Sequence, residues 1–209
     1  MKKFFLYFII FFVASFAFLN LRFISAEVKY DVFNNGNKKN VDSSTTQLTT
    51  DAKVDEPVKN KVDPSAGFSV EIPSLGITAP IIIENSSDSK VILNDLERGV
   101  VHYTDTPLPG ESGTAVIIGH SSAYPWYRGN YGSIFALLGK LKIGDTIFIK
   151  NGNNVLEYHV SGSLVFYPLS KNSGIAELEK TDGSSIILSS CWPVGTNYKR
   201  LAIKADLIN

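Results

Sequence analysis

The chain has 209 residues, and its 20 Lys/Arg against 20 Asp/Glu leave a formal charge of zero. Counted from Ala66 to Asn209 the balance is eleven against thirteen, net −2, which excludes the basic surface that a nucleic-acid partner requires. One cysteine and three scattered histidines form no ligand spacing, and neither an Asp-x-Asp loop nor a glycine-rich phosphate loop is present, so no metal and no cofactor are expected.

Met1-Lys2-Lys3 is basic and is followed by an uncharged run from Phe4 to Leu21, about eighteen residues, closed by Arg22. That length suits a membrane-spanning helix. The two lysines favour an N-in orientation, which puts residues 1–3 in the cytoplasm, a transmembrane anchor at 4–21 and everything later outside the membrane. A cleaved signal peptide is the alternative, with Ile24-Ser25-Ala26 as a small-residue cleavage site. Either reading exports the protein. Residues 22–65 are rich in Asn, Lys, Asp, Ser and Thr with no sustained hydrophobic period, and read as a disordered stalk.

From Gly67 the pattern changes. Short apolar or alternating runs occur at Phe68 to Ile72, Ile77 to Ile83, Thr114 to Ile118, Thr146 to Lys150, Leu156 to Tyr167, Ser185 to Ser189 and Leu201 to Leu207. Pro73, Gly76, Pro107-Leu108-Pro109-Gly110, Gly144-Asp145 and Asn151-Gly152 punctuate them. Short helical turns are expected at 91–96 and 134–141. Seven or eight short strands over residues 66–209 imply a single all-β barrel or sandwich.

The lone Cys191 ends the apolar run Ile186-Ile187-Leu188-Ser189-Ser190. A loop, Trp192-Pro193-Val194-Gly195-Thr196-Asn197, follows, and Arg200 stands nine positions after the sulfur. Strand, loop, strand brings the thiol and the guanidinium together, and a permanent cation favours the nucleophilic thiolate. An unpaired cysteine in an exported chain is otherwise a small buried hydrophobe. A thiol nucleophile needs a base. His120 closes Thr114-Ala115-Val116-Ile117-Ile118-Gly119 and enters a loop carrying Tyr124, Trp126 and Tyr127. His102, in Val100-Val101-His102-Tyr103, is the rival base or a structural residue. His159 alternates with Leu156, Tyr158 and Val160 and faces solvent beside Glu157.

Taken in order, these features resemble the sortase family of extracytoplasmic transpeptidases over about Gly67 to Asn209. The resemblance rests on a strand ending in Gly119-His120, a later strand ending in Cys191, and the Cys-x-Pro-x-Gly-x-Asn-x-x-Arg spacing from Cys191 to Arg200. Thr106-Pro107-Leu108-Pro109-Gly110-Glu111 and Ile72-Pro73-Ser74-Leu75-Gly76-Ile77 add to it. The chain departs from the common Thr-Leu-x-Thr-Cys pattern: Ile187 stands at the first position and Ser190 at the fourth. A second hydrophobic segment and an Asp-Pro-aromatic lid, usual in pilin-polymerising members, are missing, since Asp63-Pro64 is followed by Ser65. The resemblance therefore implies surface-protein anchoring rather than pilus building.

It further implies a closed β-barrel of about eight strands and cleavage of an LPxTG-like sorting signal on exported proteins. Cys191 forms a thioacyl enzyme, His120 acts as general acid and base, and Arg200 stabilises the oxyanion. The acceptor is an amine of peptidoglycan or of a protein. Ser190, Trp192, Phe166 and Leu169 are the implied substrate contacts. Two other readings stand beside this one. An L,D-transpeptidase-like cell-wall enzyme would carry Ser-x-Gly before Cys and Arg about two residues after it. A tethered β-barrel binding module would have an inert Cys191.

Overall fold

Alternating apolar positions produce strands wherever the expected runs lie. In the computed structural model, which describes residues 2–19, 27, 28, 31, 67–124, 126–170 and 173–208, these are β1 (Phe68–Ile72), β2 (Ile77–Ile83), β3 (Val100–His102), β4 (Gly113–Ile118), β5 (Thr146–Asn151), β6 (Asn154–Phe166), β7 (Ser184–Trp192) and β8 (Lys199–Leu207). Strand β3 is the one strand that the periodicity does not reveal. It has three residues, all buried, so no alternation marks it.

The strands close into a barrel in the order β1-β2-β3-β4-β7-β8-β6-β5. Pairings are antiparallel except β2 with β3 and β4 with β7. Closure abolishes free sheet edges. The core holds Val70, Ile72, Ile117, Ile147, Ile149, Leu156, Tyr158, Ile186, Leu188 and Ile203, each 2% exposed or less.

The helices are short. After α1 (Lys2–Leu19) comes α2 (Ser89–Asp95), whose N-cap, Asp88, accepts the Lys90 amide at 2.7 Å and so satisfies one free amide of the first turn. Then α3 (Ile175–Leu178) lies in the β6–β7 connection. The expected turn at 134–141 shrinks to a 3₁₀ piece at Leu138–Lys140.

Among the described residues no helix is long and apolar enough to cross a membrane. Helix α1 has 18 residues, and Lys2 and Lys3 leave its apolar length short of the about 20 that a span requires. The expected anchor at 4–21 runs on into residues outside the described set. Nearly all of the expected stalk at 22–65, including the segment at 63–65, lies outside it too.

Candidate active site

Parallel pairing of β4 with β7 sets the first half of the site. Ile118 stands opposite Ser189, and the Gly119 amide donates to the Ser189 carbonyl at 3.0 Å, so the ladder continues past the end of β4. The same register carried forward brings His120 beside Cys191. Antiparallel pairing supplies the second half. Cys191 stands opposite Arg200, and Arg200 stands opposite Phe166. Directly paired residues share a face with Cβ atoms about 5 Å apart. Core residues Ile186, Leu188, Leu201 and Ile203 occupy the inner face, so Cys191, Arg200 and Phe166 form a row on the outer face. The thiol lies within β7, which runs on to Trp192.

His120 and Cys191 both line a cleft of about 640 Å³, together with Leu93, Glu97, Ser122, Tyr127 and the loop residues Gly195, Thr196 and Asn197. A second cavity, of about 430 Å³, opens at the opposite end of the barrel near Ser184 and Leu207 and contains neither the thiol nor His120. The β4–β5 and β7–β8 loops meet across the cleft, where the Gly195 amide donates to Ser122 Oγ at 3.1 Å.

His120 packs edge-on against Tyr127, centroids 5.5 Å apart at 86°. The Tyr127 hydroxyl donates to the Leu96 carbonyl at 2.7 Å, which ties the imidazole to the end of α2. Burial pushes the His120 pKa below its ordinary value because water no longer solvates the imidazolium, and the Glu97 carboxylate opposes that shift. A neutral imidazole at neutral pH is ready to take a proton.

The Arg200 terminal nitrogen Nη1 donates to the carbonyls of Asn197 at 3.0 Å and Lys199 at 3.1 Å. These bonds hold the guanidinium at the cleft end of β8 while Nε and Nη2 stay available. Five fixed donors suit an arginine to bind a carbonyl oxygen as it becomes anionic.

The other expected residues separate. Ser190 and Trp192 alternate with Cys191 and therefore face the opposite side of β7. Ser190 is 4% exposed and its hydroxyl reaches the Phe135 carbonyl at 3.5 Å. Trp192 packs on the core and against Gly139. Neither side chain lies on the face of the thiol. Phe166 joins the row beside Arg200, whereas Leu169 is 97% exposed. Ile187, at the departing motif position, is on the thiol's face and buried at 1%.

His102 is 4% exposed, with Nε2 2.8 Å from the Pro107 carbonyl and 3.2 Å from Thr106 Oγ1. It fastens the segment between β3 and β4, and is absent from the cleft. His159 contacts Glu157 Oε1 at 2.9 Å on the exposed face. Sequence reasoning missed Leu93 and Glu97, because nothing in residues 91–97 says which side of a one-turn helix meets the site. The outer face of the sheet has its own cover: α3 packs on β6, with Leu178 beside Gly162 and Leu164 beside Gly174.

A family model described as a sortase domain matches residues 70–208. The chain is 27% identical over 170 residues to sortase D of Bacillus subtilis, covering 79% of this chain and 76% of that protein. Among solved structures it is similar to sortase C-1 of Actinomyces oris, at TM-score 0.54 and 26% identity over 68% of this chain and 73% of that one. It is also similar to sortase A of Corynebacterium diphtheriae, at TM-score 0.55 and 26% identity over 69% of this chain and 61% of that one.

Proposed function

From the premise that the chain belongs to the sortase family of cysteine transpeptidases, we propose that it cleaves an LPxTG-like sorting signal on exported proteins and joins the acyl part to an amine of peptidoglycan or of a protein. The observation that supports this most is that Cys191 shares one cleft with His120 and pairs across β7 and β8 with Arg200. Sorting-signal cleavage needs those three chemistries together.

In this reading neutral His120 takes the Cys191 proton, and the thiolate attacks the scissile carbonyl carbon. Arg200 donates to the oxygen as charge develops on it. The C–N bond breaks as protonated His120 gives its proton to the leaving amine, which yields the thioacyl enzyme. The outer face beside Phe166 receives the apolar part of the signal. Residues 1–3 are cytoplasmic, 4–21 anchor the chain, 22–65 form a tether and 66–209 form the catalytic unit outside the membrane. Anchoring of surface proteins is favoured over pilus building because Ser65 stands where a lid would need an aromatic.

The test is a panel of quenched peptides bearing LPxTG-type signals, incubated with and without an amine and followed by mass spectrometry. The expected result is an acyl adduct on Cys191 and a ligated product. Cys191→Ala abolishes both, His120→Ala lowers turnover by about 10²–10⁴, and Arg200→Ala lowers it by about 10²–10³. An inert thiol in a folded protein, with no cleavage across the panel, would return the chain to the binding-module reading.

A further inference from the structure

Two substrates must reach Cys191, and the structure separates their approaches. In the barrel β7 lies between β4 and β8. Arg200 and Phe166 belong to the β8 and β6 side of the thiol. Glu97 belongs to the other side: it follows α2, whose end is held to the β4–β5 loop by the Tyr127 bond to Leu96. Gly129 allows this close approach, since a Cβ there would stand 2.5 Å from the Glu97 carbonyl and 2.7 Å from the Tyr127 hydroxyl. The neighbouring Arg98 turns away to Asp95 at 2.6 Å and leaves Glu97 unneutralised by it. Among the residues lining the cleft, Glu97 is the one carboxylate; the other titratable groups are His120, Cys191, Tyr124 and Tyr127.

We propose that Glu97 determines the specificity for the second substrate: its carboxylate receives the acceptor as an ammonium, so the protein selects cationic amines over neutral nucleophiles. This rests on the transpeptidase reading above and names the chemistry of the acceptor. Held at Glu97, the ammonium passes one proton to a ring nitrogen of neutral His120. The freed amine attacks the thioacyl carbon, a C–N bond forms, the nitrogen releases its second proton to water and the C–S bond breaks. Cys191 leaves as the thiolate and recovers the proton from His120. Opposed electrostatics keep the two approaches apart, because the guanidinium that assists the acyl donor repels the cationic acceptor.

The full chain in detergent micelles is used for two measurements. The first follows the His120 imidazole signal by NMR while 1,5-diaminopentane is added. The second acylates Cys191 with a sorting-signal peptide and divides the adduct between the diamine and hydroxylamine, a nucleophile that is neutral at pH 7.5. Glu97→Gln is expected to weaken diamine binding about two- to fivefold, the range of a partly exposed ion pair. It should also lower the diamine-to-hydroxylamine product ratio by the same factor. Glu97→Lys lowers the ratio further, Glu97→Asp restores part of it, and high salt compresses the difference. The His120 titration midpoint also falls in Glu97→Gln, since the carboxylate holds it up. A purely structural role would slow both nucleophiles equally and leave the ratio unchanged, and that result overturns the proposal. If the diamine binds through Glu97 but Cys191 forms no adduct, the cation site stands and the transpeptidase reading falls. If the adduct forms and the ratio is the same in Glu97→Gln, the reverse holds.

Discussion

Gly119→Ala tests how tightly His120, the proposed base, is positioned. The glycine precedes His120, and a Cβ there would stand 2.5 Å from Cδ2, 2.9 Å from Cε2 and 3.0 Å from Cγ of Phe135. That ring cannot simply move aside. Phe135 is 1% exposed, its amide donates to the His120 carbonyl at 2.9 Å, and its carbonyl takes the Ser190 hydroxyl. An added methyl therefore displaces either a core ring or the backbone that carries the imidazole. Overpacking of this kind costs about 1–3 kcal/mol, or about 3–12 °C in Tm for a domain of this size. A shift of about 1 Å at His120 costs about 10²-fold in turnover. Circular dichroism melts and the peptide-cleavage assay measure the two effects. Phe135→Leu in the same chain makes room, so the double variant should be less destabilised than the two single changes summed. An alanine variant with the Tm of the parent to within about 1 °C and unchanged turnover would refute the contact and the reasoning built on it.

His102→Ala separates the two candidate bases. It should lower stability by about 1–3 kcal/mol by leaving the half-buried Pro107 carbonyl without its imidazole partner, yet retain turnover per folded molecule, whereas His120→Ala should keep its Tm and lose turnover; denaturant melts beside activity assays decide. Acid dependence follows from His120. Its folded pKa is depressed by burial, so the unfolded chain binds the proton first as pH falls. Stability is thus lost from about pH 6.5 downward, toward the folded pKa, and His120→Gln should make that decline shallower in melts at stepped pH. Tyr127→Phe removes the bond to Leu96 at 2.7 Å and should cost about 0.5–1.5 kcal/mol while loosening the α2 wall, read as faster amide exchange at 96–99.

Sequence alone determined the strands that alternate and the residue types that carry the chemistry. A period of two is a local property, so β1, β2 and β4 to β8 were legible, as were Cys191, His120 and Arg200 through their order and spacing. The hairpin between β7 and β8 is also local, which is why the Cys191–Arg200 pairing could be read from a loop length. Tertiary structure decided what depends on partners distant in the chain. The parallel register of β4 on β7, which joins residues 71 positions apart, put His120 and not His102 in the cleft with Cys191. The start and phase of β7 put Ser190 and Trp192 on the side away from the thiol, although they flank it in sequence. Glu97 entered the cleft only because a tyrosine thirty-one residues from Leu96 binds its carbonyl. Side chains next to each other in sequence point to opposite faces of a strand, and contacts between remote segments leave no local periodicity. Hence the chemistry of this site was written in the sequence, while the composition of its walls was set by folding.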